Sequence, residues 1–416
     1  MEESQALLTN DAAVLGLLAL TLGAVFWTSH SDHPTLKKFY KYVPALLLCY
    51  FVPSLYNTFG LIYSGQSRLY FVSSRYLLPA TLVLLTLSID LQGILRLGPK
   101  ALIMFFTGTI SIILGGPIAV FIFSFISPET VGGQGPEAVW RGLATVAGSW
   151  IGGGANQAAM KEVFEVGDDM FSAMVAVDVL VANVWLAVLL YMAGESKAID
   201  RKTGADTTAL EELRRNVAKF QEKHARIPSL TDLMLIIAVG FGATGIGHVL
   251  ADAIAPWIAE TFPQLDRLSL TSKFFWLVVV TTTIGLGLSF TRARELEGAG
   301  ASRVGSAMLY ILIASIGMNM DIGSVLDRPG LFAVGAVWIG FHALSMLLVA
   351  KLIRAPTFYL AVGSQANVGG AASAPIVASA FHPTLAPVGV LLAVLGYAAG
   401  TYGAWLSGQL MRIVAP

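Results

Sequence analysis

Gly148-Ser149-Trp150-Ile151-Gly152-Gly153-Gly154-Ala155-Asn156-Gln157 and Gly363-Ser364-Gln365-Ala366-Asn367-Val368-Gly369-Gly370-Ala371-Ala372 interrupt two hydrophobic segments of this chain. Each glycine loosens a helix by about 1 kcal/mol relative to alanine. An unpaired backbone group in hydrocarbon costs several kcal/mol. A broken, amide-bearing segment at membrane depth therefore survives only where protein buries it or where it lines a cavity. Two such segments, at matching places in two halves, are the best sequence pointer to a transporter's binding site. Close helix packing through small residues explains the glycines alone, but not the amide side chains that accompany them twice.

Working outward, 55% of the 416 residues are hydrophobic and only 12% are charged, against about 25% in a soluble domain. Almost no charge falls within Ala12–Ser29, Tyr42–Tyr63, Leu77–Leu87, Ala101–Ile126, Met170–Ala193, Leu230–Leu250, Phe274–Phe290, Leu331–Ala350 and Thr384–Leu410. Most of these windows suffice to cross a bilayer core, which takes about 20 helical residues. The fold class is all-α and polytopic, with the lipid bilayer as solvent. Glu2, Glu3 and Asp11 precede the first apolar run and no Lys or Arg does, so that run reads as a retained helix and not a secretory signal. Zero net charge argues against a nucleic-acid partner. Cys49, the single cysteine, offers neither a disulfide nor a multi-cysteine metal site within one chain.

The halves repeat an order of features. Asp90-Leu91-Gln92-Gly93-Ile94-Leu95-Arg96-Leu97-Gly98-Pro99 resembles Asp321-Ile322-Gly323-Ser324-Val325-Leu326-Asp327-Arg328-Pro329. Each ends one apolar run and precedes another, and a glycine-rich motif follows. Residues 1–193 form a first repeat, 194–229 a charged linker and 230–416 a second repeat. The linker holds eight basic and six acidic residues, with a short helical pattern around Leu210–Phe220. Lys and Arg stay cytoplasmic, and basic residues cluster at Lys37, Lys38 and Lys41, at Arg96 and Lys100, across Lys197–Arg226, at Arg292, Arg294 and Arg303, and at Lys351 and Arg354. If Arg141–Phe164 dips in and returns as a re-entrant hairpin, all of these fall on one side. Each half then has five spanning helices and one hairpin, the halves start on opposite sides, and the N-terminus lies outside a bacterial inner membrane. The alternative is a pair of unwound helices that cross the membrane and meet at its midplane.

In either geometry the tips bring helix ends to mid-membrane. Helix N-termini suit an anion; unwound carbonyls and helix C-termini suit sodium. Ser149, Gly152, Gly153, Gly154, Asn156 and Gln157 in one tip, and Ser364, Gln365, Asn367, Gly369 and Gly370 in the other, form the expected substrate site. Neither tip fits the Gly-Lys-Ser/Thr nucleotide pattern. Asp178 stands at the centre of Met174-Val175-Ala176-Val177-Asp178-Val179-Leu180. An intramembrane carboxylate costs about 2.5–3.5 kcal/mol on insertion scales and is a functional candidate by default. It suits sodium or a proton. Asn183 lies about 140° around the axis, so the two share one ion only on a distorted helix. Asn319 and Asp321 are further ion-site candidates, and Asp90 pairs with Asp321 by position. His248 and Asp252, at i,i+4, suggest a structural hydrogen bond, and lone His342 a bond to a backbone carbonyl. Tyr56 and Asn57 face the pathway or pack at the Pro53 kink. Trp27, Trp140, Trp257 and Trp276 suit interfacial anchors.

The stretches at 148–157 and 363–370 resemble the two signature motifs of the YjcL-like family of bacterial and plastid integral membrane proteins, over nearly the whole chain. More distantly, the paired tips resemble those of glutamate:sodium symporters and 2-hydroxycarboxylate transporters, in the cation/proton antiporter and anion transporter group. That kinship implies a homodimer, a scaffold domain, a mobile domain carrying both tips in an elevator motion, and sodium or proton coupling. Those symporters have Gly-Gly-His-Gly-type tips; here Ala155-Asn156 and Ala371-Ala372 stand instead, so substrate identity does not carry over. The expectation is a secondary active transporter of a small polar or anionic organic solute, such as an amino acid, short peptide or carboxylate, with no cofactor beyond its coupling ion. A cation/proton antiporter without an organic substrate is the rival. An intramembrane metalloprotease would need a His-Glu-x-x-His helix, which is absent.

Overall fold

Apolar runs of this length are stable in lipid as helices, which close their backbone hydrogen bonds within themselves. The computed structural model describes residues 7–43, 45–64, 67–205, 227–320, 328–382 and 385–416, and these are all-α apart from one isolated bridge between Leu8 and Ile62. The first half holds α1 (Asp11–Ser29), α2 (Pro34–Tyr42), α3 (Ala45–Thr58), α4 (Leu69–Leu87), α5 (Leu91–Arg96) and α6 (Pro99–Ile126), then the short pair α7 (Val139–Gly152) and α8 (Gly154–Val163), then α9 (Asp168–Gly194) and α10 (Ser196–Thr203). The second half holds α11 (Leu230–Thr261), α12 (Lys273–Leu288), α13 (Ala301–Gly317) and α14 (Gly330–Leu352), the short pair α15 (Thr357–Val368) and α16 (Gly370–Phe381), and α17 (Ala386–Val414). Among the described residues, seven helices are long and apolar enough to span a membrane: α1, α4, α6, α9, α11, α14 and α17. The count reaches eight if α12 and the segment Arg292–Ala299, bent by 93°, form one span. α3 and α13 are apolar but only 14 and 17 residues long. The chain is a polytopic integral membrane protein.

The two short pairs are hairpins. At the first, the Arg141 guanidinium donates to the Phe164 carbonyl, Trp140 and Phe164 stack edge to face at 5.6 Å, and the Gly167 amide donates to Pro136 O at 2.9 Å. The start of α7 thus meets the end of α8. At the second, Phe358 and Phe381 meet at 5.3 Å, bringing the start of α15 to the end of α16. Gly153 (φ 77°) and Gly370 (φ 57°) make the reversals, in the left-handed region that glycine enters without steric cost. Arms of 14 and 10 residues, and of 12 and 12, are about 15–21 Å long at 1.5 Å per residue. A bilayer core is about 30 Å thick, so each arm is shorter than a crossing takes.

Contacts between loops show on which end each hairpin stands. The Lys100 ammonium reaches Arg354 O at 3.3 Å, Arg294 pairs with Asp90 at 2.8 Å, and Asp200 accepts from the Thr357 amide at 2.8 Å. At the far ends of α6 and α14, Arg328 pairs with Glu137 at 3.3 Å. α15 and α16 therefore rise from the end that carries Lys100, Arg294 and Arg354. α7 and α8 rise from the opposite end.

The helices pack as two groups. One comprises α6, α7, α8, α9, α14, α15, α16 and α17, the other α1, α3, α4, α11, α12 and α13. They touch mainly along α8 and α17. The ion pair Arg75–Glu162, 2.6 Å, joins α4 to α8 across this boundary. Arg75 lies in a π-helical turn, Ser73–Leu77, inside α4, and its guanidinium covers the Phe274 ring at 4.4 Å.

Candidate functional site

The hairpin tips meet. A β-carbon on Gly370 would lie 3.9 Å from the Gly153 Cα. Beside this meeting point lies a cavity of about 430 Å³ on the boundary between the helix groups. Ser149, Gly153, Gly154 and Ala155 line it from the first hairpin, and Gln365 and Val368 through Ser373 from the second. α13 contributes Ser306, Leu309, Tyr310 and Ile313, with Leu46 and Leu85 from α3 and α4. Each tip presents both a helix C-terminus, with free carbonyls, and a helix N-terminus, with free amides.

Asp178 lines the same cavity, is 4% exposed, and has no cationic partner among the described residues. The Trp150 indole donates to its Oδ1 at 2.7 Å and the Gln157 amide to its Oδ2 at 3.0 Å. Two neutral donors satisfy a carboxylate only in part, since an ionised carboxylate has about four lone-pair sites, and they leave its charge uncompensated. Gln157 is held in turn by the Tyr50 hydroxyl at 3.5 Å, so it positions Asp178 from behind the wall. Asn183 also lines the cavity, but its amide donates to Val179 O at 2.7 Å, one turn back, and not to Asp178.

Asn156 and Asn367 stand behind the cavity wall, both fully buried. Asn156 donates to Gly152 O at 3.1 Å and to Tyr397 O at 3.0 Å, and accepts from the Thr401 hydroxyl at 2.7 Å. Asn367 donates to Gly363 O at 2.9 Å and to Phe105 O at 3.0 Å, and accepts from the Thr109 hydroxyl at 2.8 Å. The chemistry is the same twice: an amide bridges its own turn to a carbonyl on a long helix and to the threonine four residues further along it. These amides fix the first hairpin to α17 and the second to α6. Glycines permit the close approach: a β-carbon on Gly400 would come within 2.7 Å of the Gly152 Cα.

Ser364 lies outside the cavity lining. Its hydroxyl accepts from the Trp185 indole at 2.8 Å and contacts His342 Nε2 at 2.7 Å; His342 Nδ1 contacts the Ser111 hydroxyl at 2.7 Å, which donates to Gly108 O at 2.7 Å. The donors run one way, Trp185 to Ser364 to His342 to Ser111, so the neutral ring satisfies every member. His342 thus bonds two serines. Sequence spacing gives Ser364 no nearby base, yet folding supplies one at the separation of a nucleophile–base pair. Both residues are fully buried, and the chain ties α15 to α9, α14 and α6.

Other expected residues sit elsewhere. Asn319 does not line the cavity; its amide donates to Ser315 O at 3.2 Å. Asp321, like the helical pattern at 210–220, falls outside the described residues. Asp90 caps α5 through the Gly93 amide at 3.0 Å and pairs with Arg294. His248 and Asp252 do not share a hydrogen bond as their spacing suggests: His248 Nε2 contacts Arg75 O at 2.8 Å, while Asp252 pairs with Lys273 at 2.8 Å. Each takes a tertiary partner instead of its neighbour one turn away. Tyr56 contacts the Thr21 hydroxyl at 2.7 Å, and Asn57 accepts from the Ser64 amide at 3.3 Å; both pack away from the cavity. Trp27 and Trp257 are exposed at 79% and 58%, whereas Trp140 packs on Phe164 and the Trp276 indole donates to Leu270 O at 2.7 Å.

The uncharacterized membrane protein YjcL of Bacillus subtilis (strain 168) is 24% identical over 366 residues, covering 83% of this chain and 85% of that protein. A family model described as Protein of unknown function (DUF819) matches residues 16–414. Since that match takes in both hairpins and every long apolar helix but the start of α1, the chain belongs to the DUF819 family, to which the YjcL-like resemblance of its two motifs pointed.

Proposed function

We propose that the protein is a secondary active transporter that moves a small polar or anionic organic solute by alternating access. The carrying observation is the meeting of two hairpins, rising from opposite ends, at a cavity that contains an uncompensated carboxylate. A cavity of about 430 Å³ lies within the range of small-molecule sites, about 300–1,000 Å³. The halves read as an inverted repeat, each with five helices and a hairpin between the fourth and fifth, which is how many carriers build a midplane site. The cavity's place between the helix groups suits an elevator: the group with both hairpins slides against α1, α3, α4 and α11–α13, which hold a homodimer interface. Asp178 is the coupling-ion site, for sodium or a proton, with Asn183 on the same wall. The basic loops at Lys100, Arg294 and Arg354 face the cytoplasm, which puts the N-terminus outside, in a bacterial inner membrane. No reaction chemistry enters this reading.

The test is thermal stability of the purified protein in detergent, across amino acids, dipeptides and carboxylates, with and without sodium. A solute that stabilises only with sodium, and an Asp178→Asn variant that loses the sodium effect, support the coupled carrier. Stability that follows sodium and pH alone, whatever the solute, favours a cation/proton antiporter.

A further inference from the structure

Within that reading, and resting on it, the cavity's chemistry narrows the solute. Among the described residues that line it there is one carboxylate and no Lys, Arg or His. A solute with two carboxylates would bring one of them near Asp178 with no basic side chain to meet it. The free amides of α8 (from Gly154) and α16 (from Gly370) open on the cavity, and together they suit one carboxylate. Beside them, the carbonyl ends of α7 and α15 offer the opposite charge.

A second observation is independent of the helix ends. Gln365 lines the cavity and is 1% exposed. Its Nε2 donates to the Ser373 hydroxyl at 2.6 Å, while its Oε1 has no partner. A buried acceptor left unpaired costs about 1–3 kcal/mol, and a solute donor that reached this atom from the cavity side would recover that cost. The rest of the wall is mostly apolar, with Leu46, Leu85, Val179, Leu186, Leu309 and Ile313 beside the rings of Tyr310 and Tyr397, and Ser306 and Asn183 as its other polar side chains.

We infer that the solute is a neutral α-amino acid with an aliphatic side chain, its carboxylate on the two helix N-termini and its ammonium on Gln365 Oε1 and the carbonyl ends of α7 and α15. Asp178 stays with the coupling ion. A plain carboxylate leaves Gln365 unpaired, and an amine alone leaves the helix amides unpaired.

The experiment measures thermal stabilisation of the purified protein in sodium buffer by valine, isovalerate (which lacks the amine), isobutylamine (which lacks the carboxylate) and glutamate. Valine is expected to half-saturate at a concentration at least about 100-fold below those of isovalerate and isobutylamine, because a site built around a donor rejects the analogue that lacks it. Glutamate is expected to do no better than isovalerate. In Gln365→Leu the gap between valine and isovalerate should narrow to about 10-fold or less. Isovalerate, isobutylamine or glutamate equalling valine overturns the amino-acid assignment and leaves the carrier standing. So does stabilisation by some other solute while this panel is inert. Inertness to every solute overturns both.

Discussion

Gly148→Ala separates the hairpin from a crossing helix by the sign of its effect. In the hairpin, a β-carbon at Gly148 would lie 2.6 Å from Asn156 O and 2.8 Å from Asn156 C. Both are backbone atoms of the returning arm and cannot rotate away. Ordinary contact begins near 3.4 Å, so the arms must part by about 0.8 Å. Overpacking of this kind costs about 1–3 kcal/mol, and rigid backbone puts it at the upper end. Alanine recovers up to about 1 kcal/mol in helix propensity, leaving a net loss of about 2 kcal/mol. Gly154→Ala is the control: its β-carbon meets only side chains of Leu309 and Ile313, at 3.9 and 4.0 Å. At about 2–4 °C per kcal/mol for domains of moderate size, Gly148→Ala should lower the melting temperature by a few degrees and Gly154→Ala should leave it in place. A crossing helix predicts the reverse for Gly148, since alanine would then add propensity with nothing to strike. A Gly148→Ala protein that melts at or above the parent refutes the packed hairpin.

Asn156→Ala and Asn367→Ala should each cost about 2–4 kcal/mol, read by denaturation, because each removes three buried hydrogen bonds at once; Asn156→Ala and Thr401→Ala should be non-additive by about 1 kcal/mol or more. Trp150→Phe keeps a ring against Trp338, now 4.9 Å away, but removes a donor from Asp178, so the sodium needed to stabilise the protein should rise by about 10-fold. Arg75→Ala should destabilise by about 2–4 kcal/mol, because Glu162, 11% exposed, is left buried without its partner; adding Glu162→Gln should recover part of that loss.

Much of the fold was legible because lipid leaves few choices. Most apolar windows became helices within a few residues of their limits, though α4 begins at Leu69 rather than Leu77 and α11 runs on to Thr261 rather than Leu250. Ala301–Gly317 was not among the windows, because Arg303 sits in its first turn. The loop charges favoured hairpins, and the contacts Arg141–Phe164 and Phe358–Phe381 close them. Asp178 was conspicuous as a charge in an apolar run. Its partners Trp150 and Gln157 were not, since their meeting with it depends on how far the hairpin folds back. Amide residues alone could not say which face the cavity. Asn156 and Asn367 spend their hydrogen bonds on neighbouring helices, whereas Gln365 keeps one atom unpaired, and no spacing rule distinguishes them. The Ser364–His342–Ser111 chain joins the consecutive helices α14 and α15 to the distant α6, and no periodicity within one helix signals it. His248 with Asp252 shows the converse, a spacing that suggested a contact which tertiary partners replaced.

Alternating access is the central claim, and it can be tested without knowing the solute. Ala182 lines the cavity. An Ala182→Cys protein, with Cys49→Ser to remove the single native thiol, would be treated with a membrane-impermeant maleimide in right-side-out and in inside-out vesicles. A carrier predicts labelling from both sides, with sodium raising the rate on one side and lowering it on the other. Labelling from one side only, at a rate indifferent to sodium, would contradict the account.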